Sequence, residues 1–147
     1  DATLLAFAGL SRLGMQHLAS EVLGPEQCLP AIGQGILAVE TRTEDEETNA
    51  RVGRLDDPAA RAAAQAERAF LHRLEGGCQV PIAGHATLDG GQLTLKGLVA
   101  TLDGARVIEG ERTGAIAEAS TVGVALAEEL LARGAGAILA ELSTGVG

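Results

Sequence analysis

The stretch IAGHATLDGGQLTLKGLVATLDGARVIEGER, Ile82–Arg112, reads as three consecutive strands. Ile82 to Leu88, Leu93 to Leu102 and Ala105 to Arg112 alternate apolar and polar residues with the period of two expected of strands that bury one face. Asp89-Gly90-Gly91 and Asp103-Gly104 divide them, and both are good tight-turn sequences because glycine tolerates the left-handed backbone that close reversals need. Connections this short join antiparallel neighbours, so the stretch predicts a three-stranded antiparallel meander.

The flanking segments change period. Asp56-Asp57-Pro58 is a helix start, with an Asp cap and Pro at the first position, and Ala62, Ala66, Phe70 and Leu74 then repeat every four residues as an apolar stripe. Gly76 or Gly77 is expected to stop this helix. Beyond the meander a second amphipathic helix is predicted from about Ala117 to Arg133, with Val122, Leu126 and Leu130 buried and Gly134 past its end. The apolar tail Ile138 to Leu142 is expected to pack back on the sheet. Residues from Pro58 onward, about ninety, could thus bury a core of their own.

Residues before Asp57 read differently, as α/β material. Asp1 to Ala8, DATLLAFA, is the near-continuous apolar run of a strand buried on both faces of a parallel sheet. Such a strand needs neighbours, none precedes it and the sequence lacks an initial Met, so the chain is expected to begin inside a domain. A short helix over Gly9 to Leu13 carries Arg12, and helical turns around Gln16 to Leu23 close at Gly24-Pro25. Leu29 to Arg42, LPAIGQGILAVETR, combines Pro30, a Gly33-Gln34-Gly35 turn and a second strand from Ile36 to Thr41. A lone G-x-G ahead of a strand is weak evidence of phosphate binding, since the dinucleotide fingerprint puts its glycines after a strand and before a helix. A tight crossover between domains is the simpler reading. Glu44 to Glu47 is a solvated first helical turn, where acidic side chains favour the positive end of the helix dipole.

Composition narrows the function classes. With 46% hydrophobic residues among 147, the chain can fold, and with two Phe and no Tyr or Trp it offers no base-stacking platform. The formal net charge of -9 opposes nucleic-acid binding, and neither side of Asp57 is basic. Two cysteines in unlike contexts form neither a disulfide framework nor a metal cluster, which predicts a reducing, cytoplasmic setting and no metal site. His17, His72 and His85 show no ligand spacing. The longest apolar run is far too short to span a bilayer, so no membrane partner is expected.

Cys78 lies in LEGGCQVPI, Leu74–Ile82, behind two glycines and between a helix end and a strand. An inert buried thiol is the commonest fate of a cysteine, but two glycines permit close backbone approach in an accessible loop. A recycling nucleophile needs a lowered pKa, and the preceding helix presents its negative end here; pairing with His72 or His85 would be required instead. A thiol that reacts once with a strong electrophile needs only access, so the setting suits an anchor better than a turnover catalyst. Cys28, before Leu29-Pro30, reads as structural.

Four stretches in order, AGLSRLG (Ala8 to Gly14), LPAIGQGILAVETR, AERAFLHRLEGGCQVPI (Ala66 to Ile82) and GVALAEELLARGA (Gly123 to Ala135), closely resemble the porphobilinogen deaminase (hydroxymethylbilane synthase) family over essentially the whole chain. The resemblance is to the family's C-terminal part. It implies a fold that is α/β and α+β: remnants of two periplasmic-binding-protein-like domains, 1–29 from the second and 30–57 a return segment of the first, followed by a small third domain, 58–147. It implies a cytoplasmic transferase of tetrapyrrole (haem, chlorophyll, cobalamin) biosynthesis that joins four porphobilinogen units head to tail into hydroxymethylbilane with loss of ammonia. The family's dipyrromethane cofactor is held as a thioether, here by Cys78. Loss of ammonia gives a methylene-pyrrolenine electrophile that a soft thiolate can capture.

By the same resemblance Arg12 binds cofactor or substrate carboxylates, a task for a guanidinium's paired donors, and Gln34 and Gly35 face the cleft at the interdomain turn. The family's catalytic aspartate matches nothing in this chain, nor do most of its basic residues. The expected partners are therefore porphobilinogen, the growing oligopyrrole and the chain's own N-terminal half, with the full-length protein a monomer and this chain inactive by itself. The competing expectations are a stand-alone small-acid-binding or interaction module built on Arg12, and a thiol enzyme pairing Cys78 with His72 or His85.

Overall fold

Burial begins at the helix that the Asp-Pro start announces. In the computed structural model, which describes residues 2–74 and 81–144 with side chains to 141, the buried apolar core runs from Ala62 to Ile138. Helix α3, Pro58–Arg73, is capped by the Asp57 carboxylate, which accepts from the N–H groups of Ala59 (2.8 Å) and Ala60 (3.1 Å). Its stripe Ala62, Ala66, Phe70 and Leu74 is buried as the spacing requires. The glycines expected to stop it lie outside the described residues.

The meander forms in full. Strands β1 (Ile82–Asp89), β2 (Gln92–Ala100) and β3 (Val107–Ala115) pair antiparallel in the order β1-β2-β3. Gly90 (φ 54°) and Gly91 (φ 86°) make the first reversal, the doubly left-handed loop of a type I′ hairpin. The second reversal is wider than expected, because Asp103 draws the chain off the ladder. Its carboxylate accepts from the Thr101 hydroxyl (2.6 Å) and the Ala105 N–H (3.0 Å), so β2 ends at Ala100 and β3 restarts at Val107.

One face of the sheet is covered by α3 and by α4, Ala119–Leu130, which brings Val122, Leu126 and Leu130 into the core as predicted. Gly84, Gly97 and Gly110 stand opposite one another in register across the three strands. A Cβ at Gly97 would lie 2.5 Å from the Phe70 ring, and one at Gly110 would lie 2.9 Å from Leu130, so this glycine row is the trough that receives the large side chains. The helices touch backbone to backbone: a Cβ at Gly123 would be 2.2 Å from the Ala66 carbonyl oxygen. At Gly134 (φ 105°) the chain kinks into α5, Gly136–Thr144, whose Ile138 returns to the core as the apolar tail predicts.

The described residues up to Asp57 hold two short helices, α1 (Phe7–Arg12) and α2 (Glu46–Val52), and single 3-10 turns at Gln16–Leu18 and Gly53–Leu55. Asp45 caps α2 by accepting from the Thr48 N–H (3.0 Å), and the acidic run supplies its first turn. The strands expected at Asp1 to Ala8 and Ile36 to Thr41 do not form among the described residues. An apolar run becomes a strand only when a neighbour completes its hydrogen bonds, and neither run pairs with the three-stranded sheet β1-β2-β3. Leu37 is left 92% exposed.

Candidate cofactor-carrying site

Glycine geometry builds the turn that carries Gln34. The Gln34 N–H donates to the Ala31 carbonyl (3.0 Å) and the Ile36 N–H to the Gly33 carbonyl (3.1 Å), giving two successive turns with Gly33 (φ 74°) and Gly35 (φ 82°) at their third positions. A type II turn asks for a left-handed residue there, so the spacing G-x-G follows from backbone geometry. Gln34 and Gly35 are exposed at its tip.

This turn is tied to the three-stranded unit at β1. The Gly84 N–H donates to the Pro30 carbonyl (3.0 Å), and a Cβ at Gly84 would sit 2.6 Å from Ile32 Cδ1. Glu67 of α3, 3% exposed, completes the attachment: its Oε2 accepts from the Gly33 N–H (2.7 Å) and its Oε1 from the Ala86 N–H (2.9 Å). Edge N–H groups of β1 that would otherwise need water or another strand are thus satisfied. His85 Nδ1 lies 3.9 Å from the same Oε1. Glu67 is missing from the sequence expectations. Its signal was a lone carboxylate four residues after Ala63 and three before Phe70, on the buried side of a helix.

Cys78 lies outside the described residues. Of the described residues that flank it in sequence, Leu74 is buried with its N–H on the Phe70 carbonyl (3.1 Å), and the Pro81 carbonyl accepts from the Ala100 N–H (3.0 Å). Strand β1 begins at Ile82, two residues ahead of Gly84, where the segment leading into the Gln34 turn docks. Arg12 sits in the last turn of α1, exposed, and no hydrogen bond or ion pair among the described residues links it to that turn. His72 is exposed in the last turn of α3, whereas His85 is turned toward Glu67. Cys28 is free and exposed, not packed. Among the described residues no group of three or more His, Cys, Asp or Glu could hold a metal, and no helix is long and apolar enough to cross a membrane.

Residues 61–132 match the family model described as porphobilinogen deaminase, C-terminal domain, and residues 1–50 match the one described as porphobilinogen deaminase, dipyromethane cofactor binding domain. The chain belongs to the porphobilinogen deaminase family. Among similar proteins, the porphobilinogen deaminase of Roseiflexus castenholzii is 50% identical over 140 residues, which are 95% of this chain and 46% of that protein. Those of Carboxydothermus hydrogenoformans and Geobacter metallireducens are 48% and 49% identical over 142 residues, 97% of this chain and 46% and 45% of theirs. The chain spans about half the length of the curated relatives it matches. Arg12, Gln34 and Gly35 fall in the span matched to the cofactor-binding model, and Cys78 and Glu67 in the span matched to the C-terminal domain.

Proposed function

We propose that this chain is the C-terminal part of an enzyme that joins four porphobilinogen molecules head to tail into hydroxymethylbilane, releasing ammonia, with a dipyrromethane primer thioether-linked to Cys78. The observation that carries the proposal is the match of one chain, in order, to both family domains, one of them described by its cofactor. Residues 1–29 and 30–57 are then segments of two larger α/β domains, and 58–147 is a third domain that carries the primer. The enzyme works in the cytoplasm, and the remainder of the protein supplies the catalytic aspartate.

The residues present suit an acidic pyrrole primer. Arg12 forms no ion pair and the Gln34 side chain no hydrogen bond among the described residues, so a guanidinium and an amide are available for carboxylates. Arg12 and Gln34 orient the acid groups, Gly35 allows close approach at the turn, and Cys78 holds the chain covalently. When bound, the primer would supply the free pyrrole position to which the first unit is joined, each later unit joining the free position of the one before it.

Intact-mass measurement tests this. The chain produced together with the rest of its protein is expected to carry a dipyrromethane-sized adduct on the Cys78 peptide, lost in Cys78→Ser. An unmodified mass in protein that has both halves would refute the proposal.

A further inference from the structure

Glu67 is the buried charged residue among the described ones, and burying a carboxylate is costly unless its oxygens are bonded. Each oxygen accepts a backbone N–H, one from Gly33 in the Gln34 turn and one from Ala86 in β1, segments 34 and 19 residues away in sequence. No capping, packing or strand-pairing requirement of α3 needs a carboxylate at this position, since Asp57 caps the helix and Phe70 fills the sheet trough. The group answers instead to two donors that face it from different segments. A carboxylate is the one side chain of this length with two acceptor oxygens, whereas an amide of the same shape would turn a donor toward one of the two N–H groups.

We infer that Glu67 is a positioning residue: its carboxylate latches the Gly33-Gln34-Gly35 turn to β1, fixing Gln34 against the edge of the three-stranded sheet. The inference rests on the proposed function for what Gln34 binds. The latch itself rests on the two hydrogen bonds. It acts between a turn that touches acid groups and a strand of the three-stranded sheet, so its loss moves one against the other without removing either.

The experiment is a double-mutant cycle in the complete protein with Glu67→Gln and Gln34→Ala, joined to amide hydrogen exchange. Glu67→Gln is expected to raise the KM for porphobilinogen roughly tenfold, the equivalent of one hydrogen bond, with a smaller change in kcat. In the Gln34→Ala background it should raise KM no further, while its effect on Tm stays the same in both backgrounds. A purely structural Glu67 would move Tm alone, or move KM equally in both backgrounds, and either result overturns the inference. Should Glu67→Gln fail to fold, the parent protein still decides. The Gly33 and Ala86 amides should exchange as slowly as those of the β1–β2 ladder, and fast exchange at Gly33 refutes the latch. A parent protein that lacks the Cys78 adduct would fail the proposed function yet leave the exchange result standing, so the two failures are distinguishable.

Discussion

At the scale of single residues, the side chains proposed to meet carboxylates are the ones on which the fold makes no claim. Arg12 stands exposed at the end of a six-residue helix with no ion pair among the described residues, and Gln34 is exposed at a turn tip. Arg12→Gln should therefore leave stability within about 0.5 kcal/mol while raising the KM for porphobilinogen about tenfold, as loss of a charge-assisted contact would. Steady-state kinetics with thermal unfolding on the same samples checks both parts, and a fall in Tm with unchanged KM would reassign Arg12 to structure. Glu67 shows the opposite profile, buried and fully bonded. It escaped the sequence because a glutamate in a helix is ordinarily a solvated one, and only the fold brings the Gly33 and Ala86 amides to it.

At the scale of elements, strands and helices from Asp57 onward were legible because each buries one face and so imprints its period on the sequence. Helix α3 and the β1–β2 reversal came out as the Asp-Pro start and the double glycine predicted. The glycine row was not legible, since register between strands is invisible in one sequence, yet it sets the fit of helix to sheet. With Phe70 Cζ 2.5 Å from where a Gly97 Cβ would stand, Gly97→Ala should cost about 1–3 kcal/mol by overpacking, and Phe70→Leu should relieve part of that cost. Denaturant unfolding of the two single variants and the double variant reads the coupling, and strict additivity would mean that the trough does not seat the ring. The β2–β3 loop carries a pH dependence. The Thr101 hydroxyl, and then the Ala105 N–H, hold the Asp103 carboxyl below its ordinary pKa. A group depressed in the folded state contributes stability that is present above the unfolded pKa, about 4, and is lost as pH falls through the folded value. Acid titration of parent and Asp103→Ala should accordingly converge at low pH and separate above it; curves that diverge as pH falls would reverse the sign.

At the scale of the whole molecule, the sequence pattern and the fold part company at Asp57, and the reason is where hydrogen-bond partners lie. Apolar runs such as DATLLAFA and ILAVET have the composition of two-sided strands, but composition cannot state whether a neighbouring strand is present, and here the described residues supply none. Leu4, Leu5, Leu18, Val22, Leu37 and Val39 are all more than half exposed, whereas among the described residues every buried core residue comes from Ala62 onward. A segment with few buried contacts opens at low free energy, while a packed sheet and helix layer opens only with global unfolding. Hydrogen exchange on the chain alone should therefore divide it: slow amides in α3, β1 to β3 and α4, fast amides over most of 2–29 and 36–45. Between these, the Gly33 amide should exchange with the slow set, because Glu67 accepts from it while the Gly84 N–H holds the Pro30 carbonyl at the sheet edge. Supplying the rest of the protein should then slow 2–29 and 36–45 without altering the rates in β2. Uniform slow exchange across the isolated chain would mean that its first 57 residues find their own core, and the proposed division at Asp57 would fall.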